Sequence, residues 1–522
     1  MPDTAPSRPT RARILDGLGL PKTLPATQQD FLTLCGPRQA GAGDTVPDLL
    51  LLGLGPEPER LAELVPALSG PLGRVRYIEA PDLAAQLGEG WRGRIPASYE
   101  AAPVAQLAAC TQNARVVLYR PGPRLFPDFW GPLLARLHLA QLPQAQGPDP
   151  RLVWLPGGEA DLLRLELREA FETLGFRVRL LPDETALRGL LAGGERPALY
   201  FSVNFRGLDP LGEAAHLLEA AGARVAVWCV DNPLHLVSGL KARFWTRLPL
   251  FLTDDWFAPL LRGLGAADVR HLPLAARAGD VAGPARQPHP AWSGLAGRLV
   301  FAGRSAFPGK ADFFAGCSTP AAAWTEAERL LAGGGRPDFG WWLTRLGIER
   351  LWPGTDARRA GFCAEETGKS WRAACLGRAQ HDLSGRVTVF GDEGWRELLP
   401  AGTDLRGPVD YYAALPDICA SAAACLNCTS PLLPHGLTQR HFDTWAWGGL
   451  LISDATPGLS LFPEELTRQV SFRTPQDIAP RLRALQASAT LAHDLKRAWR
   501  EELAARHTYA HRVRSVLEAL EL

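Results

Sequence analysis

The 522-residue chain has no run of about 18 apolar residues, so nothing in it reads as a membrane-spanning helix. Its first residues, MPDTAPSRPTRARILDGLGL, include basic side chains but no apolar core of a secretory signal, so a cytoplasmic location is expected. It lacks an excess of either charge. Against 56 Lys and Arg stand 55 Asp and Glu, a formal net charge of +1. That balance argues against a nucleic-acid binder working through a basic surface. Lysine is scarce beside arginine, the usage of a GC-rich bacterial genome. The nine cysteines are too dispersed for a small disulfide framework. Their one cluster, Cys425-x-x-Cys428 near Cys419, falls on a predicted strand and reads as buried thiols. There is no repeat of solenoid length. No acidic pair stands out as a metal site. Asp254-Asp255 is the nearest, and it reads as a helix cap.

What is present describes an ordinary soluble globular protein, 46% apolar and 21% charged. Its length suggests two to four domains. Residues 1–45 are rich in Pro, Thr, Ala and Gly, and a loose start is expected. Strands are then predicted at 48–55, 74–78 and 114–119, with helices at 57–68 and 126–141. A Pro-rich linker at 143–150 closes this small α/β unit. Strands follow at 152–155, 178–181, 198–203, 225–230, 250–253 and 269–274, separated by helical spacers such as 161–174. Such alternation implies a doubly wound parallel sheet. After prolines at 284, 288 and 290 a second α/β pattern begins with strand 298–302. It continues through a Trp-rich helical stretch, about 320–380, and strands 387–390 and 424–428. Residues 475–520 read as helices.

The stretch 422–454, AAACLNCTSPLLPHGLTQRHFDTWAWGGLLISD, is the richest in signals. Two apolar strands flank a loop broken by Pro431 and Pro434. Gly436 loosens the backbone, and Thr438 is placed to cap a helix running to Trp447. Gly448 and Gly449 stop that helix. A loop opening onto a helix at the carboxyl ends of parallel strands is where α/β proteins hold phosphorylated ligands. Arg440, Asp443 and Trp447 share one helix face. A cation and a carboxylate there suit a diphosphate and a ribose.

These residues also carry a family resemblance. The segment resembles the donor-binding signature of GT-B glycosyltransferases, in which two glutamates eight residues apart lie on this loop and helix. His435 and Asp443 occupy those two places. Arg440, Asp443, Gly448, Gly449 and Asp454 are similar to the pattern of the spore-maturation-type, glycosyltransferase-like branch. The resemblance spans about 150–515. It implies an α/β, GT-B fold: two facing Rossmann-like domains, here with an extra N-terminal α/β domain. The expected division is 1–147 for the extra domain, 148–285 for the acceptor domain and 286–481 for the donor domain. Helices 482–522 are expected to cross back.

The resemblance also implies roles. Donor contacts are expected from Gly303, Arg304 and Lys310 in VFAGRSAFPGK, and from Gly436, Leu437, Thr438, Arg440 and Asp443. The two cations suit a leaving diphosphate. Gly157 and Gly158, a turn after the first strand of the middle domain, are candidates for an acceptor or phosphate loop. Asp231 and His235, after strand 225–230, are candidates for a general base toward an acceptor hydroxyl. His435 stands where the family has an acid, and it is a third catalytic candidate. Tryptophans 324, 341, 342, 352 and 371 read as core, with sugar stacking as the alternative. The expected activity is glycosyl transfer from a nucleotide-diphosphate sugar, a co-substrate, to a glycan, protein or lipid-linked acceptor. No bound cofactor or metal and no nucleic-acid partner are expected. Two alternatives stand: a non-catalytic sugar-nucleotide or glycan binder on a degenerate scaffold, and a sugar-nucleotide epimerase.

Overall fold

The computed structural model describes residues 12–35, 46–111, 113–142, 147–158, 161 and 163–522. Two all-parallel, six-stranded sheets dominate it, each Rossmann-like. The middle sheet runs in the spatial order Val269–His271, Leu250–Leu252, Arg224–Cys229, Pro197–Val203, Asp149–Pro156, Arg177–Leu181. The C-terminal sheet runs Asp404–Arg406, Val387–Phe390, Leu299–Ala302, Ala424–Asn427, Leu451–Asp454, Ser471–Phe472. Their central strands are continuous apolar runs because helices cover both faces. The carboxyl ends of the two sheets face each other across a cleft, the GT-B arrangement. The last helix, Tyr509–Leu520, packs on helix Arg164–Thr173 of the middle domain. Arg512 there donates to the carbonyls of Pro273 and Leu274.

In each sheet the chain builds outward from one strand and then jumps to its other side. Ligands bind at such topological switch points. In the C-terminal sheet the switch lies between Leu299–Ala302 and Ala424–Asn427; in the middle sheet it lies between Asp149–Pro156 and Pro197–Val203.

The N-terminal unit holds a five-stranded sheet in the order Phe31–Cys35, Ala114–Tyr119, Asp48–Leu52, Val75–Ile78, Tyr99–Ala101. The region expected to be loose carries structure: a hairpin, Ala12–Leu15 with Pro21–Leu24, and the antiparallel edge strand Phe31–Cys35. Residues 1–11 and 36–45 lie outside the described residues, as do 143–146 of the expected linker. Other expectations change at prolines and short strands. The helix expected at 57–68 breaks into short turns because Pro66 cannot continue it. Strands Asp404–Arg406 and Ser471–Phe472 are too short to show a pattern in sequence.

All nine cysteines are free thiols. Cys425 and Cys428 sit three apart on or beside a strand, so they point to opposite faces. The first neighbours Cys419 and the second neighbours Cys375. Trp342, Trp352 and Trp371 are buried in the core rather than presented to a sugar. Among the described residues, no helix is long and apolar enough to cross a membrane.

Candidate active site

The cleft contains a cavity of about 500 Å³ with walls from both domains. Asp231, Asn232 and His235 come from the middle domain, and Arg304, Glu365, Arg372 and Ser430 from the C-terminal domain. The sequence candidates Asp231, His235 and Arg304 therefore meet.

Asp231 follows strand Arg224–Cys229 and reaches solvent through the cleft. Asn204, held in the left-handed conformation at φ 55°, fixes it. The Asn204 amide donates to Asp231 Oδ2 at 2.7 Å, and its oxygen accepts from the backbone N–H groups of Val230 and Asp231. The protein around it desolvates the Asp231 carboxyl and raises it above the ordinary aspartate range. Helix capping falls to the next residue: Asn232 accepts from the N–H groups of Leu234 and His235. Its amide also donates to the Leu432 carbonyl across the cleft.

His235 is less suited to the role expected of it. Its ring packs among Phe313, Phe314 and Phe339, with centroids 5.4–5.7 Å away. Gly361 lies so close that a methyl group there would overlap the ring. Burial, with Arg358 nearby, lowers its pKa to about 3. A ring that weakly basic is a poor proton acceptor at neutral pH. It is an aromatic spacer between the domains.

On the facing wall, Arg304 is exposed beyond the end of strand Leu299–Ala302. Lys310, its expected companion, is instead paired with Glu366 at 2.6 Å. The second cation lining the cavity is Arg372, on helix Ala357–Asp382. It donates to the Ser305 carbonyl at 3.1 Å and lies 3.5 Å from Glu365, while its Nε has no partner among the described residues. Sequence reading missed Arg372 because it lies far before Arg440 in the chain, on a helix that reads as core.

Arg440 occupies the switch-point crevice itself. Its Nε donates to Asn427 Oδ1 at 3.0 Å and its Nη1 to the Ala302 carbonyl at 2.8 Å, tying both strand ends. A side chain at Gly303 would come within 4.0 Å of Nη1. The helix beside it spans Arg440–Ala446, and Gln439 rather than Thr438 holds its cap position. The Thr438 hydroxyl instead donates to Asn427 Oδ1 at 3.0 Å, and its N–H donates to His441 Nδ1. Leu437 is buried beneath the loop.

Asp443, expected to meet a ribose, is buried. It is 3% exposed and accepts from the Tyr411 hydroxyl at 2.6 Å and the Gln439 amide at 2.9 Å. Desolvation raises its carboxyl well above the usual range. Tyr411 follows the overlooked strand Asp404–Arg406, so this cover could not be read from the sequence.

His435 and Gly436 lie in a separate corner with Asp254 and Asp255. The backbone N–H groups of His435 and Gly436 both donate to Asp254 Oδ2 at 3.0 Å. Asp254 Oδ1 accepts from Trp256 N–H, the capping bond expected of it. Burial raises Asp254 to about 6. His435 Nδ1 lies 3.1 Å from Asp255 Oδ1. Among the described residues, these three side chains also form a group with ligand-type atoms within 4.8 Å. Three amide donors already occupy Asp254, which leaves it poorly arranged for a cation.

Gly157 and Gly158 fall at the other switch point. Gly157 has φ 118°, which only glycine adopts readily. Gly158 N–H donates to Asp161 Oδ2 at 2.7 Å.

Residues 370–518 match a family model described as glycosyl transferase-like. No curated protein matches the chain. Solved structures similar in course include the T4 phage glucosyltransferase BGT with UDP and Mn2+, at 10% identity and TM-score 0.41, covering 71% of this chain and 99% of that one. HepE of Anabaena with UDP is similar at 12% identity and TM-score 0.38, over 71% and 99% of the two chains. A glycosyltransferase of Rickettsia africae is similar at 9% identity and TM-score 0.36, over 71% and 98%.

Proposed function

We propose that this protein is a glycosyltransferase of the spore-maturation-type branch, moving a sugar from a nucleotide-diphosphate sugar to an acceptor hydroxyl. The observation that carries the reading is the two-walled cavity: a carboxylate on the middle domain faces Arg304 and Arg372 on the C-terminal domain. In this reading Asp231 takes the proton from the acceptor hydroxyl. The acceptor oxygen forms a bond to the anomeric carbon as the bond from that carbon to the diphosphate breaks. The electron pair leaves with the diphosphate, and the two guanidiniums stabilise it. The glycosyl transferase-like match, residues 370–518, includes Arg372 and Ser430 of the donor wall and supports the same reading.

The test is a thermal-shift and calorimetric panel of UDP, GDP and ADP and their sugars. A ligand at about 100 times its Kd should stabilise the protein by about 2.7 kcal/mol. Arg304→Ala should weaken the preferred diphosphate several-fold, a modest loss because Arg304 is exposed. Equal affinity of variant and wild type would remove Arg304 from the site. Donor hydrolysis in the absence of acceptor separates this reading from a non-catalytic binder.

Asp443 is kept as the ribose candidate of the family pattern, a role that requires the ribose hydroxyls to replace the Tyr411 hydroxyl and Gln439 amide now bonded to it. Asp443→Ala should lose affinity for the ribonucleotide yet bind its 2′,3′-dideoxy analogue about as well as wild type does. A variant that discriminates between the two as strongly as wild type would show that the carboxylate serves the fold alone.

A further inference from the structure

The cavity between the domains is divided in character. Among the described residues that line it, the charged Arg304, Glu365 and Arg372 belong to the C-terminal wall, and Asp231 is the charge of the middle-domain wall. The polar side chains beside Asp231 are already committed. Asn204 gives its amide to Asp231 and its oxygen to the N–H groups of Val230 and Asp231. Asn232 accepts from the N–H groups of Leu234 and His235 and gives its amide to the Leu432 carbonyl. Each asparagine is used at both ends, so turning either toward a ligand would break bonds of the fold.

What this side of the cavity offers instead is apolar. Leu236 follows Asn232 by one turn of helix Pro233–Val237. Phe313 packs against the His235 ring, with centroids 5.4 Å apart, and Leu432 is held in place by the Asn232 amide. Leu433 and Phe307 extend the same lining. All five residues are half-buried rather than sealed in the core. Their surface is fixed from behind. The Arg358 guanidinium lies over the Phe313 ring at 4.4 Å, and Phe307 meets the Phe314 ring with centroids 5.6 Å apart. A preformed lining that leaves leucine and phenylalanine in water favours a ligand that covers it with apolar surface.

We infer that the acceptor carries its reacting hydroxyl on an apolar body, an aryl ring or a branched alkyl chain, rather than on a sugar. This rests on the glycosyltransferase reading and names the acceptor class of that site. The hydroxyl must reach Asp231, and the atoms attached to it then meet the leucines and phenylalanines. Its oxygen bonds to the anomeric carbon, its proton passes to Asp231, and the electron pair of the broken bond leaves with the diphosphate. A sugar in that place would press its other hydroxyls against side chains that offer no hydrogen bond, and burying a hydroxyl unpaired is costly. An apolar body has no such groups to leave unpaired. The charges of the C-terminal wall remain for the donor.

The test uses the full-length protein with three hydroxyl compounds: 4-methylumbelliferone as the aryl probe, geraniol as the branched-chain probe and methyl glucoside as the sugar. At least one apolar probe should bind, and methyl glucoside should not displace it. Leu236→Gln and Leu433→Gln should each weaken that probe by about tenfold or more, the scale of an apolar side chain's burial. Leu433 lies on a loop, so its variant remains informative if Leu236→Gln fails to fold. With the nucleotide sugar that binds best, wild type should transfer sugar to the apolar probe and not to methyl glucoside. Preference for 4-methylumbelliferone assigns an aryl acceptor, and preference for geraniol a branched chain. Transfer to methyl glucoside alone overturns the proposal, as does apolar binding equal to wild type in both variants. Apolar binding that both variants weaken, with no nucleotide or nucleotide sugar bound, would instead sink the glycosyltransferase reading and leave the apolar ligand class in place.

Discussion

Asp231→Asn is expected to lower turnover by about 10²–10⁴-fold, the usual contribution of a general base. The substitution keeps the shape and removes the basicity. Donor affinity should be unchanged, because Asp231 stands on the wall opposite the cations. Melting temperature should be unchanged, since capping belongs to Asn232 and Asp231 itself reaches solvent. The pH profile adds a second reading. A base must be ionised, and desolvation by the surrounding protein raises this carboxyl even though it reaches the cleft. Wild-type turnover should therefore fall on acidification at a pH above the ordinary aspartate range. The residual turnover of the variant should lack that limb. Normal turnover in Asp231→Asn would eliminate it as the base.

Arg372→Lys should weaken nucleoside-diphosphate binding by about 1.5–3 kcal/mol, the scale of a hydrogen bond to a charged group. Lysine preserves the positive charge beside Glu365 but not the planar fork that grips two phosphate oxygens. The loss should exceed that for Arg304→Ala, because Arg372 is largely buried and less screened. Isothermal calorimetry with the preferred diphosphate reads both. An Arg372→Lys protein that melts like wild type and binds the diphosphate as tightly would restrict Arg372 to holding Ser305 and Glu365.

The sequence by itself determined the two parallel sheets, the loop-and-helix at 422–454 and the position of Asp231 at a strand's carboxyl end. Each depends on local pattern: apolar runs of about four to eight residues, glycine and proline at turns, polar residues just past a strand. Local pattern carries no information about partners distant in the chain. Asp254 meets the amides of His435 and Gly436 across 181 and 182 residues, and Lys310 turns to Glu366 across 56. Tyr411 covers Asp443, and a cage of phenylalanines from the other domain encloses His235. In sequence Arg164 is an ordinary helix cation; the fold removes it from water and leaves two of its donors unmet. Desolvation and pairing are properties of the packed arrangement, so only the tertiary structure decided which of the charged side chains are committed and which remain available to a ligand.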